Sequence, residues 1–403
     1  MTERALLLLP HADRAIQRVG GLSALERQLW TLQRAGIKKT WVGLARPAGV
    51  KLRLPPGLEL TWTDSASAAQ LNAEPPYLTI SGDYFIRVET LRYIAQADYP
   101  APVMLEDSSG ANVVQVVTSR HDHASVPHHQ PLPQGACVRL ANPLRSDAVL
   151  RWLLTLGVKD QDGFMARHFD RYLSLTVSRS LLDTPVTPNM MTMISSLIGL
   201  IGAAFFLVPT HAMRLAGAVL IWLHSVLDGC DGELARIRFQ ESTLGADIDF
   251  WGDNVVHVAL FGCLAWGFYK ADQNLLPLAL GLASAVGTIG SAILNYRERL
   301  ERRHNPAAAA AGNEGLIPLL TRIENVLAAR DFIYLLVLLA YMDRLYEFMW
   351  ATAVGSLLFF FMLLYLGRKH NEQTKPSHPA HEGQAGGPAA GDGSGHQHLY
   401  SRS

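Results

Sequence analysis

Cysteine is scarce in this chain: Cys137, Cys230 and Cys263 are the only three in 403 residues, scattered and without CxxC spacing. That excludes a disulfide framework and a cysteine-built structural zinc site, and it fits a reducing compartment. Charge is scarce as well. Asp, Glu, Lys and Arg make up 17% of the residues, below the roughly 25% usual in soluble domains. Acids and bases balance at 35 each, for a net charge of zero with histidine neutral, so no global field recommends a nucleic-acid partner. The opening Met1-Thr2-Glu3-Arg4 leads into an apolar run too short for a secretory signal. The amino-terminal half is therefore expected to stay in the cytoplasm.

The deficit of charge falls unevenly. Residues 1–150 have ordinary soluble composition, whereas 190–366 is dominated by long apolar runs. In the first part, Ala5–Leu9, Thr40–Leu44, Leu58–Trp62, Tyr77–Ile80, Val103–Glu106 and Val113–Val117 read as strands. Ser23–Ala35 and Arg87–Ala97 read as helices between them. Strands alternating with helices predict a mostly parallel sheet covered on both faces, an α/β domain over 1–150. His121–His129 is expected to be a loop because Pro127, Pro131 and Pro133 crowd it.

A second region, 160–186, carries Phe164, Phe169, Leu173, Val177 and Leu181 at helical spacing among Arg167, Asp170, Arg171, Ser174 and Ser178. A basic amphipathic helix ahead of apolar runs reads as one lying in a membrane interface. Pro185, Pro188 and Asn189 end it, and Pro188 suits the first turn of the next helix. Residues 187–369 then hold six candidate spans by the criterion of roughly 20 apolar residues each. They are Asn189–Val208, Arg214–Leu227, Phe250–Phe268, Leu275–Leu294, Phe332–Tyr341 with its flanks, and Glu347–Leu366. Arg236, Arg238, Arg297, Arg299, Arg302, Arg303, Arg322, Arg330, Arg368 and Lys369 all fall in alternate connections. The excess of positive charge predicts an integral membrane protein with both termini on the cytoplasmic side. The tail over 370–403, rich in Gly, Pro, Ser and His, is expected to be disordered.

The chemistry concentrates in Ser225–Asn254. Asp228 and Asp231 stand three residues apart, Asp249 and Asp253 four apart, and on helices each spacing puts both acids on one face. Four converging carboxylates repel one another unless cations intervene. All-oxygen ligation with room for substrate phosphates suits Mg²⁺ or Mn²⁺, and two ions about 3.5–4 Å apart would make a clamp for phosphoryl chemistry. Gly232, Ala235 and Gly245 leave space beside the acids, and Arg236 is placed to meet a phosphate or pair with a carboxylate. Asp247 lies off this pattern and reads as a solvated neighbour.

Asp228-x-x-Asp231-Gly232-x-x-Ala235-Arg236, eight residues, then Gly245-x-x-x-Asp249-x-x-x-Asp253 resembles the full signature of the CDP-alcohol phosphatidyltransferases. The resemblance covers 163–366, including a Thr187-Pro188-Asn189 entry to the first span. It implies six helices around a polar cavity open to the cytoplasm, and transfer of a phosphate-linked group from a CDP-linked donor to an alcohol with release of CMP. Asp228, Asp231 and Asp249 would ligate metal, and Asp253 would ligate metal or serve as base toward the acceptor hydroxyl. Gly232, Ala235 and Gly245 would line the cytidine pocket, with Asp228, Arg236, Pro188 and Asn189 also on the substrate side. The donor is either CDP-diacylglycerol or a CDP-polyol. Members of the family are commonly homodimers.

Residues 19–37 with the strand Thr40–Leu44, together with Tyr77–Phe85, resemble sugar-phosphate nucleotidyltransferases, a Rossmann-like α/β fold in which Asp83 would be a metal-binding acid. Fused to the helical half, the arrangement resembles bifunctional inositol-phosphate cytidylyltransferase and di-inositol-phosphate phosphate synthase enzymes. That tilts the acceptor toward inositol or inositol phosphate. Leu9-Pro10-His11-Ala12-Asp13-Arg14 stands where the glycine-rich phosphate loop belongs, and Gly20-Gly21-Leu22 where a lysine is expected. The first domain is therefore expected to be degenerate, binding or supporting rather than activating CTP. Two readings from other classes compete with the enzyme: a membrane-anchored scaffold or pseudoenzyme whose soluble domain binds a nucleotide or partner, and a cation transporter using the same acids.

Overall fold

The computed structural model describes residues 2–47, 49–65, 75–119, 128–157, 169–304 and 332–373, with side chains to Tyr365 in the last helix. His121–Pro127, residues 160–168, Arg322, Arg330 and the tail beyond Gln373 lie outside the described residues.

The first half is an α/β unit. Its elements are β1 (Arg4–Leu8), α1 (Ala12–Ile16), β2 (Arg18–Val19), β3 (Leu22–Ser23), α2 (Ala24–Arg34), β4 (Lys39–Val42), β5 (Glu59–Trp62), β6 (Tyr77–Ser81) and β7 (Tyr84–Ile86). They continue with α3 (Val88–Gln96), β8 (Val103–Glu106), β9 (Asn112–Val117), β10 (His128–Pro131), β11 (Cys137–Arg139) and α4 (Asp147–Leu156). The main sheet has seven strands in the order β10-β8-β9-β6-β1-β4-β5. β5, β4, β1 and β6 run parallel, β9 is antiparallel to both neighbours, and β10 is parallel to β8. Leu25, Leu29 and Leu32 of α2 and Leu91 and Ile94 of α3 bury against Leu7, Val42 and Ile80 of the sheet. Each such leucine contributes roughly 1.5–3 kcal/mol of transfer free energy. Ser23 and Glu26 form a reciprocal cap at the start of α2, through N–H···O bonds of 3.2 and 2.7 Å.

Two expectations need correction here. His128 and His129, expected at the end of the His121–His129 loop, open an edge strand, His128–Pro131: Pro131 is tolerated because β10 ends the sheet and the proline needs no second partner. The unit also runs past 150, since Trp152 of α4 is buried and donates from Nε1 to the Gly135 carbonyl at 3.0 Å.

The second half is helical: α5 (Arg171–Leu181), α6 (Pro188–Phe205), α7 (His211–Ile237), α8 (Thr243–Asp272), α9 (Leu276–His304), α10 (Phe332–Tyr341) and α11 (Leu345–Gln373). Among the described residues, four stretches are long and apolar enough to cross a membrane: Pro188–Phe205, His211–Ile237, Leu276–His304 and Leu345–Tyr365. Helix α10 is a shorter apolar helix, and α8 has the length but is diluted by Asp249, Asp253, Asn254 and His257. Thr187 caps α6 by accepting from the Met190 amide at 3.3 Å, with Pro188 in the first turn as its fixed φ favours. Helix α7 runs ten residues past the expected end at Leu227, carrying Asp228 and Asp231 inside a continuous helix. Close approach of α6 and α7 needs glycine. A Cβ on Gly217 would sit 2.7 Å from the Gly202 carbonyl oxygen.

Helix α5 presents the face opposite to a core helix. Its polar Ser174 and Ser178 are buried, while Phe169, Tyr172 and Leu173 are exposed. The cause is Glu233 on α7, fully buried, which accepts from Ser174 Oγ at 2.6 Å, Ser178 Oγ at 2.7 Å and Arg171 Nη1 at 3.0 Å. A buried carboxylate requires such donors, so the serines turn inward and the apolar side chains are left facing out.

Candidate active site

Helix α7 carries His224, Asp228 and Asp231 within two turns, and α8 carries Gly245, Asp249 and Asp253. The two helices are joined by five residues, Arg238–Ser242, and Ser242 caps α8 by accepting from the Gly245 amide at 3.0 Å. This short return brings the acids together. Asp228, Asp249 and Asp253 each offer a carboxylate oxygen within 4.8 Å of the others. Asp228 is buried at 3% exposure and Asp249 Oδ1 lies buried without a hydrogen-bond donor.

Asp231 stands outside that group of three. Its carboxylate accepts from Thr192 Oγ1 on α6 and from the Gly232 amide. The glycines have local reasons. A Cβ on Gly245 would come 2.9 Å from Asn189 Oδ1, so the entry residue Asn189 does meet the motif, at the start of α8. One on Gly232 would meet Arg236 Nη1 at 3.0 Å. Pro188 is buried and Ala235 half-buried beside them. Arg236 is turned away from the acids: its Nε donates to the Gly157 carbonyl at 2.9 Å, tying α7 to the end of α4. Asp247 is no solvated bystander. It takes a two-pronged pair from Arg303 at 2.9 and 3.1 Å, fastening the end of α9 to the start of α8.

Two further residues belong to the site. His224 is 2% exposed, with Nδ1 on the Ser195 carbonyl at 2.9 Å and Nε2 facing Asp253 Oδ1 at 3.5 Å. A carbonyl only accepts, so Nδ1 carries a proton, and the ring is held edge-on to Asp253. Gly199 makes room for it, since a Cβ there would lie 2.9 Å from His224 Cγ. Thr192 is the other, through Asp231. The signal for His224 was its place one turn before Asp228; Thr192 gave none, because its contact spans 39 residues.

The amino-terminal candidate is different. Asp83 forms an ion pair with Arg14, and the cleft lined by Leu9, Pro10, His11, Arg14, Gly82 and Asp83 has a free volume of about 0 Å³. The amides of Gly20 and Gly21, both at positive φ, donate to Asp183 Oδ1 at 2.9 and 3.3 Å. A carboxylate from the helical half thus fills the turn.

Residues 185–367 match the family model described as CDP-alcohol phosphatidyltransferase. Among curated relatives, a Thermococcus kodakarensis protein named bifunctional IPC transferase and DIPP synthase is 34% identical over 190 residues, covering 47% of this chain and 40% of that one. A Corynebacterium glutamicum phosphatidylinositol phosphate synthase is 35% identical over 122 residues, or 30% of this chain and 53% of its own. The chain thus spans about half or less of the length of these two relatives. Among solved structures, Mycobacterium tuberculosis phosphatidylinositol phosphate synthase in complex with manganese and citrate aligns at 24% identity and a TM-score of 0.34, over 54% of this chain and 96% of that one.

Proposed function

We propose that the aspartate cluster catalyses transfer of a substituted phosphate group from a CDP-linked donor to an alcohol, releasing CMP. The observation that carries this is the meeting of Asp228, Asp249 and Asp253 within 4.8 Å inside the stretch that matches that family model. Hard oxygen donors suit Mg²⁺ or Mn²⁺. Carboxylate oxygens that all lie within 4.8 Å of one another could hold such a cation between them. The ions when bound would neutralise the donor's diphosphate and favour departure of CMP. Asp228 and Asp249 hold that charge in place, with Asp231 fixed by Thr192 as a further ligand. Asp253, backed by His224, accepts the proton of the acceptor hydroxyl as its oxygen bonds to phosphorus and the phosphorus–oxygen bond to CMP breaks. Gly232, Ala235 and Gly245 keep the space beside the acids open to the nucleotide.

The same reading places the site at the cytoplasmic end of six spanning helices. The Asp247–Arg303 pair sets the basic end of α9, with Arg297, Arg299 and Arg302, beside the start of α8, and that excess of positive charge supports a cytoplasmic site by the positive-inside rule. The name of the Corynebacterium glutamicum relative, phosphatidylinositol phosphate synthase, favours inositol or inositol phosphate as acceptor, with CDP-diacylglycerol or a CDP-polyol as donor. A homodimer is the expected assembly. The test is purified full-length protein in detergent or liposomes with Mg²⁺ or Mn²⁺, each donor set against each acceptor, with CMP and product mass measured. Asp249→Ala should abolish CMP release; unchanged release from that variant overturns the assignment.

A further inference from the structure

Besides the contacts of Gly157 with Arg236 and of Gly20 with Asp183, the amino-terminal half grips the end of α7 and the five-residue connector between α7 and α8. Arg27 of α2, fully buried, donates from Nη1 to the Ile237 carbonyl at 2.7 Å and from Nη2 to Val19 at 3.2 Å. Burial pulls its guanidinium down to about 10, so it still carries its charge at neutral pH. Arg53 donates from Nη1 to the Arg238 carbonyl at 3.1 Å and from Nη2 to the Phe239 carbonyl at 2.7 Å. Three successive carbonyls at the end of α7 are thus held by two guanidinium groups of the other domain. Arg53 is itself fixed, stacked 4.8 Å over Trp30 and with its amide on Glu26 Oε1 at 2.5 Å. Trp30 stacks on Phe239 at 6.1 Å.

The connector would not hold this shape alone. Phe239 has φ of 51°, the left-handed region, which a non-glycine residue holds only where its surroundings enforce it. From the other side, Arg238 donates to the carbonyls of Leu182 at 2.9 Å and Thr184 at 3.1 Å. The consequence concerns catalysis, because the connector is the only covalent link between the Asp228 pair and the Asp249 pair, and its turn sets how α8 meets α7.

Resting on the function proposed above, we infer that the amino-terminal domain is a positioning domain, in which Arg27 and Arg53 fix the α7–α8 connector and so hold the two aspartate pairs in register. This explains how a domain with a closed nucleotide cleft remains useful to the chain that carries it. Neither arginine touches substrate; both act through the connector.

Arg53 is the residue to test, since it borders an open cleft of about 470 Å³ with Trp30, Arg34, Phe239, Glu241 and Ser242, and truncating it seals no void. In the full-length protein, Arg53→Ala should lower kcat at least tenfold with KM for the CDP-donor within about twofold, as expected for misplaced catalytic groups. Amide exchange over residues 239–245 should quicken, and Mn²⁺ binding, read by electron paramagnetic resonance, should weaken. Arg53→Lys should restore only part of this, because one ammonium does not span two carbonyls. Lys38→Ala, a surface change on the same domain, should alter nothing. Unchanged kcat, exchange and Mn²⁺ affinity in Arg53→Ala would overturn the inference. If the wild type released no CMP, the proposed reaction would fall, while exchange and Mn²⁺ binding would still decide for or against the brace.

Discussion

Each half of the molecule offers an acidic site, and the two have opposite fates. In the first half, Asp83 is closed by Arg14 and the neighbouring glycine amides are filled by Asp183. In the second, three carboxylates face one another across two helices, and the arginine expected to join them, Arg236, is engaged elsewhere. An acid with its own counter-charge is satisfied within the protein and has little left to offer a ligand. Three carboxylates gathered within 4.8 Å repel one another, an electrostatic demand that a bound cation meets. Arg14, Arg27 and Arg53 are spent in the first half on closing and bracing.

The contrast breaks most visibly at Asp253. Replacing it by Asn removes the proton acceptor and should cost about 10²–10⁴-fold in kcat, roughly 3–5 kcal/mol, measured as CMP release. A loss smaller than tenfold would move the base elsewhere. Next in size is Glu233→Gln. Removing one partner of a buried ion pair costs about 3–5 kcal/mol, so the melting temperature should fall and α5 should become susceptible to protease. Retained stability would mean that Glu233 does not hold α5. His224→Ala should give about a tenfold loss of kcat, about 1.4 kcal/mol, smaller than that at Asp253 because the histidine acts through it.

Acids of the first half that lie outside the Arg27–Arg53 brace should respond in stability rather than activity. Asp83→Ala is expected to leave CMP release within about twofold of wild type, and a larger loss would restore a catalytic role to that domain. Asp107 gives the smallest effect. The Ser109 hydroxyl and then the Ala111 amide hold its carboxyl well below the usual carboxylate range. Its contribution is therefore fully present above about pH 4, the ordinary value, and is lost as pH falls toward the lowered one. Asp107→Asn should flatten the acid limb of the unfolding curve between pH 3 and 4.5 without changing kcat.

The division of labour was partly legible in the sequence. Six strands and two helices of the first half follow from alternation and helical period, with edges within two residues. The spacing of the four aspartates identified the site because helix geometry alone puts i, i+3 and i+4 on one face. The apolar runs located the helices of the second half that are long and apolar enough to cross a membrane, four among the described residues against the six spans expected. Their ends were misjudged where polar motif residues continue the helix, as from Asp228 to Ile237 in α7, because hydropathy reports burial rather than backbone conformation.

Hydrophobic period and local spacing are properties of neighbouring residues, so the sequence by itself determined the two-part architecture, the acidic motif and the absence of a glycine-rich loop. Contacts between distant segments are invisible to such patterns. Thr192 on Asp231, Ser174 on Glu233, Arg53 on the Phe239 carbonyl and Asp183 on the Gly20 amide join residues 39 to 186 positions apart. Only the tertiary structure decided which charges are spent within the protein and which remain for a ligand, because a charge is satisfied by what lies beside it in space.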